Sequence, residues 1–433
     1  MKEVSVFWFR RDLRIHDNTG LYYALNDRFP VVPVFIFDKI ILDKLESKSD
    51  ARVQFIHDQL SQLNQIMRSH QSRLWVYHDE PVKAFKELLK IFSVKAVYTN
   101  RDYEPYAKDR DESIRTLLKE NGTEFYSFKD QVIFESGEIL TAQETPYRMF
   151  TPYKNKWMEV FEKELAASIP SETLLNNLYQ DKFKEIPSLK SIGFKASSIK
   201  IPPNKIEKNT IVHYDKTRDY PGIDGTSRLG IHLRHGTLSI RKATSAAWAF
   251  STVWLNELIW REFYMMILSF FPEVTDQSFK PEYDRILWKN DEKEFKNWCL
   301  GKTGYPLVDA GMRELIETGY MHNRVRMITA SFLTKHLLID WRWGENYFAQ
   351  HLLDYELASN NGGWQWAAGT GTDAQPYFRV FNPYTQAEKF DPELKYIKKW
   401  VKEYDTEDYT KPIVDHKYAR NRAIEVYKQA LGR

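Results

Sequence analysis

The chain holds a single cysteine, Cys299, among its 433 residues. An intramolecular disulfide is thereby excluded and a cysteine-based metal site disfavoured, which suits a reducing compartment. No apolar run approaches the roughly 18 residues of a membrane span. The opening "MKEVSVFWFRRDLR" is apolar for only six residues before three arginines arrive, too short for a signal-peptide core, and it reads as a first strand. Charge of one sign is also lacking. At a net +3, composition does not announce a nucleic-acid binder, so any basic patch must be local. Neither G-x-G-x-x-G nor a P-loop occurs, which removes the usual dinucleotide and triphosphate fingerprints. What the chain has in excess is aromatic: 15% of its residues, with 13 Trp. Trp is a costly choice for a core unless its ring or N–H is used, although packing accounts for most of these rings.

Up to about residue 130, short apolar runs alternate with amphipathic stretches. "VSVFWF", "VVPVFIFD", "RLWVYHD", "AVYTN" and "EFYSFKD" read as five buried strands, and 51–69, 81–91 and 106–120 carry helical periodicity. That alternation predicts a doubly wound parallel sheet, which binds ligands at its strand carboxyl ends. An interdomain linker over 131–208 follows, most polar from about 165, where Pro, Ser and Lys replace the periodic apolar residues. Nearly everything over 209–433 reads helical. The expected architecture is an α/β domain over 1–130, the linker, and an all-α domain.

Two helical stretches gather residues that suit a base. In "LNELIWREFY", Glu257, Trp260 and Arg261 stand at i, i+3 and i+4, so carboxylate, indole and guanidinium share a face. In "MHNRVRM", Asn323 and Met327 are i,i+4, while Arg324 and Arg326 are expected to point elsewhere. The plain alternatives are a Glu–Arg pair beside a core Trp, and a capped helix with solvated arginines. Together the two stretches offer an indole for a base face, an amide and a carboxylate for base edges, a thioether wall, and arginines for phosphates. "DGTSRLG", residues 224–230, is a turn opening a helix, able either to hold an anion or simply to cap. "LLDYELASNNGG" places Asp354 and Glu356 near a helix end, ahead of Asn360 in what reads as a Gly-rich turn.

With these pieces in order, the sequence resembles the photolyase/cryptochrome family, and within it the bacterial-type (class I) cyclobutane pyrimidine dimer photolyases. The match runs from "VFWFRRDLRIHDN" to "FNPYTQAEKFDPELKYIKKWV", and is densest at "DGTSRL", "ELIWREFY", "TGYPLVDAGMREL", "MHNRVRMITASFL" and "NNGGWQWAAGTGTDAQPYFRVFNP". The resemblance implies an N-terminal α/β antenna domain and a helical FAD-binding domain. It sets Tyr214, Thr226, Ser227, Arg228, Leu229, Gly230, Trp254, Asp354, Tyr355, Glu356 and Asn360 at FAD-binding positions, the turn holding the pyrophosphate. Family members often carry Asp where this chain has Glu356. Asn360 matches the asparagine facing flavin N5, and the glycines beside it are expected to let the backbone approach the ring. Trp364, Trp341 and Trp288 match an electron-transfer chain from flavin to surface. Arg218, Glu257, Trp260, Arg261, Asn323, Arg324, Met327 and Trp366 match positions that contact damaged DNA.

Carried over, the resemblance implies light-driven repair of cyclobutane pyrimidine dimers by electron transfer from reduced FAD to a flipped-out dimer. Glu257, Asn323 and Asn360 are the catalytic candidates, and no metal, nucleophile or triad is required. The alternative is a cryptochrome, a blue-light photoreceptor using the same FAD and Trp chain without repair. The (6-4) photolyases fit less well, because they carry histidines where this chain has Asn323 and Met327. A second antenna chromophore has no identity here: a carboxylate of the folate-using members is missing near Ala107, which leaves a deazaflavin, another flavin or none. The expected setting is cytoplasmic and monomeric, with UV-damaged DNA as partner and neither membrane nor protein partner.

Overall fold

Why the first two strands carry apolar residues on both of their faces is explained by what covers them. In the computed structural model, which describes residues 1–433, β1 (Lys2–Phe9), β2 (Val31–Asp38), β3 (Trp75–Asp79), β4 (Phe92–Asn100) and β5 (Glu124–Phe128) form one sheet in the order β3-β2-β1-β4-β5. All four pairings are parallel. Alternate residues feed two cores. Phe7, Phe9, Phe35 and Phe37 pack on one face, and Val4, Val6, Trp8, Val32, Val34 and Ile36 on the other. A sheet buried on both faces needs this continuous run, where a half-exposed one would alternate.

Two compact units divide the chain, and they do not follow the expected ranges. One comprises Met1–Glu135, Val160–Ile206 and Arg228–Ala249; the other comprises Ser136–Glu159, Glu207–Ser227 and Phe250–Arg433. The stretch expected as a linker over 131–208 is no free connector. Leu175, Leu178, Ile192 and Phe194 are buried in the same cluster as Leu13, Val31 and Phe35, and Tyr179 N–H donates to the Val31 carbonyl at 2.8 Å. Widely spaced apolar residues suffice to seat a polar segment on a core. Residues 228–249 are tied into the α/β unit by charge. Arg241 pairs with Asp17 (2.7 Å) and Asp130 (2.8 Å), and Arg14 with Asp130 (2.6 Å), all buried. Arginine forks saturate both carboxylates there, the condition under which burying an ion pair is tolerated.

The other unit is helical. A core of Trp298, Tyr305, Phe332, Trp341, Phe348 and Trp364, with their aliphatic neighbours, fills it. The Leu357–Ala368 helix packs against three others: Thr252–Phe270, Asn323–Ser331 and Trp341–His351. The start of each of those three is set by a side-chain cap. Ser251 accepts from Trp254 N–H, the His322 ring from Arg324 N–H, and Asp340 from Arg342 N–H. The Phe150–Val160 helix, inside the segment expected to be linker, belongs to this unit up to Glu159. Tyr153 and Trp157 on it both donate to the buried carboxylate of Glu262, at 3.2 and 2.7 Å. No helix is long and apolar enough to cross a membrane.

Candidate functional site

The four helices packed at Leu357–Ala368 enclose a cavity of about 390 Å³. The Thr252–Phe270 helix presents Glu257, Trp260, Arg261 and Tyr264 to it, one face at i, i+3, i+4 and i+7. From Asn323–Ser331 come Asn323, Arg326, Met327 and Ala330, the same spacing. The loop ahead of Leu357 adds Asp354, Tyr355 and Glu356, and the Leu357–Ala368 helix adds Asn360, Gly363, Trp364 and Trp366. Arg218 closes one edge by its ion pair to Glu257 at 2.5 Å.

Two expectations are corrected here. "SNNGG" is not a turn: residues 357–368 are helical throughout, and Asn360, Gly362 and Gly363 fall within about one turn of that helix. Packing overrides the low helix propensity of two glycines. A Cβ at Gly362 would fall 2.2 Å from the Tyr264 ring, so only glycine lets the two helices approach. A Cβ at Gly363 would meet nothing within 4 Å, and the position borders the cavity. Arg326, expected to point away, lines the cavity and holds Asp354 through two bonds of 2.9 and 3.1 Å. It sits three residues after Asn323, on the face that Met327 shares, so helical spacing did carry the signal. Tyr264, seven residues after Glu257, was legible in the same way.

Burial pushes the Glu257 carboxyl above its ordinary range, against the opposing pull of Arg218. Burial pulls the Arg326 guanidinium down, but the Asp354 partner outweighs it and the net shift is upward. Behind the wall lies Glu345, which gives no local sign in the sequence. Asn360 Nδ2 donates to both its carbonyl and its Oε1, each at 3.0 Å. Burial raises Glu345 to about 7, opposed by the Asn360 hydrogen bond. With both amide hydrogens so used, Asn360 turns Oδ1 as an acceptor to any incoming group.

Other expected residues stand outside the cavity lining. Arg324 pairs with Asp219 at 2.6 Å and lies over the Phe390 ring. Tyr214 lies beneath the Arg218 guanidinium. Trp254 is buried in the first turn of its helix. The turn Thr226–Gly230 is split between the two units after Ser227. Thr226 bonds the Tyr320 hydroxyl at 3.0 Å, and Arg228 has a left-handed backbone at φ 50°. Trp341 is fully buried at the start of its helix, and Trp288 is half-buried against the same core, edge-on to Tyr427 at 6.0 Å. The indole N–H groups of Trp364 and Trp341 are buried without a hydrogen-bond partner.

The lining suits a flavin. Arg326, Asp354, Glu356 and Asn360 offer donors and acceptors to a polar heteroaromatic ring, Phe348, Leu352 and Ala330 offer apolar walls, and Gly363 leaves its share of the space open. Comparison with known proteins agrees. Residues 5–171 match the family model described as DNA photolyase, and 254–406 that of the FAD binding domain of DNA photolyase. A deoxyribodipyrimidine photo-lyase of Vibrio cholerae is 36% identical, across 99% of this chain and 100% of that protein. A bacterial class III photolyase from Agrobacterium tumefaciens superposes with a TM-score of 0.88 at 31% identity, covering 100% of this chain and 98% of the other. An archaeal photolyase from Sulfolobus tokodaii, solved with two FAD molecules, gives 0.80 at 35% identity over 99% of this chain and 100% of the other. Full-length likeness on both measures, added to a cavity with this lining, means that the chain belongs to the photolyase/cryptochrome family.

Proposed function

We propose that the protein repairs cyclobutane pyrimidine dimers in DNA under light, with FAD held in the cavity of its helical unit. One observation carries the reading: a single cavity gathers polar groups suited to a flavin and aromatic and amide groups suited to an extruded base. When bound and reduced, FAD supplies the photoexcited electron that splits the dimer. The chain supplies position and electrostatics. Arg326 and Asp354 would stand beside the ring, and Asn360, whose amide nitrogen is held by Glu345, would offer Oδ1 as an acceptor to a ring N–H. Tyr214, Thr226, Ser227, Arg228, Leu229, Gly230, Trp254, Tyr355 and Glu356 are assigned to the rest of FAD by their match to the family's motifs.

On the substrate side, Trp260 and Trp366 form the apolar wedge for a base that has left the stack. Asn323 addresses a pyrimidine edge. Glu257, its carboxyl raised by burial against the pull of Arg218, addresses the other. Arg218, Arg261 and Arg324 are placed for phosphates, and Met327 walls the pocket. Trp364, Trp341 and Trp288 are assigned to an electron relay that begins at the cavity wall and ends at a half-buried ring. This substrate-side set supports repair over a purely signalling role. A cytoplasmic setting completes the reading, since the lone Cys299 asks for no oxidising compartment.

The test is dark binding by the FAD-loaded protein of an oligonucleotide containing one thymine dimer, against the same oligonucleotide undamaged. Preference for the dimer is expected. Equal affinity for the two would contradict the reading.

A further inference from the structure

The Trp260 indole is not free on both faces. Phe150 stacks on it with ring centroids 3.7 Å apart and planes 8° from parallel. Tyr264 leans against it at 5.4 Å and 32°, and Phe263 meets it edge-on at 5.7 Å. Tyr264 is held in turn by the close approach that Gly362 allows. Trp260 is thus the middle of a column running from the Leu357–Ala368 helix to Phe150, and still borders the cavity.

Phe150 is itself fixed at both ends of its helix. Its backbone N–H donates to Asp373 at 3.0 Å, and the Arg148 carbonyl accepts from Thr372 at 2.5 Å. About one and two turns on, Tyr153 and Trp157 donate to Glu262, two residues past Trp260 on its helix. A ring pinned to both neighbours is a backstop, since it cannot follow the indole if the indole swings. Trp side chains bury a large area yet have several rotamers, and a flat partner on one face removes the alternatives.

We propose that Phe150 is a positioning residue for the substrate: stacked behind Trp260, it holds the indole in one orientation, with the part of the ring that borders the cavity presented to the flipped pyrimidine. The inference rests on the repair reading above. It gives a role to a residue that touches neither cofactor nor base, in a segment whose sequence reads as connector.

Its test is a double-mutant cycle on the FAD-loaded protein, reading dark affinity for the thymine-dimer oligonucleotide and for its undamaged counterpart, with bound flavin measured by absorbance. Phe150→Ala is expected to weaken dimer binding by about two- to tenfold, the worth of an aromatic pair, while undamaged binding and flavin content hold. Phe150→Tyr, which keeps the stacked ring, is expected to bind like wild type. Because Phe150 acts through Trp260, Phe150→Ala added to Trp260→Ala is expected to cost nothing more. Phe150→Leu keeps bulk without a flat face, and repeats the test if the alanine variant does not fold. Unchanged dimer affinity in a folded variant, or losses that add independently of Trp260, would overturn the proposal alone. A wild type that binds damaged and undamaged DNA alike would overturn the repair reading and this proposal with it.

Discussion

At the scale of single residues, the site separates groups that meet a ligand from groups that hold them. Trp260 belongs to the first kind: Trp260→Ala is expected to weaken dimer binding by roughly 1–3 kcal/mol through lost stacking. Fluorescence anisotropy with a dimer-containing oligonucleotide checks this, and unchanged affinity would mean the substrate wall is wrongly placed. Glu345 belongs to the second kind. Its ordinary value is 4.5 and the fold raises it to about 7, mainly by burial, so the folded state favours the proton. Its contribution to stability is therefore complete below 4.5 and is lost as pH rises through about 7. Glu345→Gln, which cannot ionise, is expected to flatten that decline, so its melting temperature gains on wild type above neutrality and not in acid. A variant that tracks wild type across the range would contradict the shift. Residue types at helical spacing were enough to read Glu257, Trp260, Asn323 and Met327. Glu345 was not readable, because its importance comes from a partner fifteen positions away on a different helix.

At the scale of elements, the Leu357–Ala368 helix organises the cavity, and its paired glycines do different things. Gly362→Ala puts a methyl group into the Tyr264 ring and is expected to destabilise by about 1–3 kcal/mol, seen as a lowered denaturation midpoint. Gly363→Ala meets nothing, and by helix propensity is expected to leave stability unchanged or raise it by roughly 0.5–1 kcal/mol. The added methyl stands in the cavity, however, and flavin retention is expected to fall. A stable, fully loaded Gly363→Ala would show that the flavin does not reach that wall. The central strands β1 and β2 were legible because strands covered on both faces demand long apolar runs, whereas β3 and β5, expected to be buried, lie at the sheet edges and are only partly so. The "SNNGG" helix was not, because Gly362 answers to Tyr264, a tertiary contact that local propensity does not see. The Phe150–Val160 helix carried a faint signal in Phe150, Tyr153 and Trp157 at helical spacing, hidden by the polar segment around it.

For the whole molecule, a net charge of +3 makes long-range attraction to DNA weak, so phosphate contacts must come from a few placed arginines. Two of them are already paired within the protein, Arg218 with Glu257 and Arg324 with Asp219. Affinity for damaged DNA is expected to fall as salt rises, and Arg324→Ala to reduce the slope of log K against log salt by at most about one. A flat response in wild type would contradict these contacts. The two-part organisation was legible from the change of periodicity near residue 130. Its true course, with segments 160–206 and 228–249 returned to the α/β unit, was not. Those returns rest on scattered buried residues and on the buried pairs of Asp17 and Asp130 with Arg14 and Arg241, contacts between positions far apart in sequence.

The most direct measurement is light-dependent repair: the reduced, FAD-loaded protein is mixed with a thymine-dimer oligonucleotide, and recovery of thymine absorbance is followed in blue light and in the dark. Recovery in light alone is the expected result. No recovery in light from a protein whose flavin is bound and reduced would contradict the account.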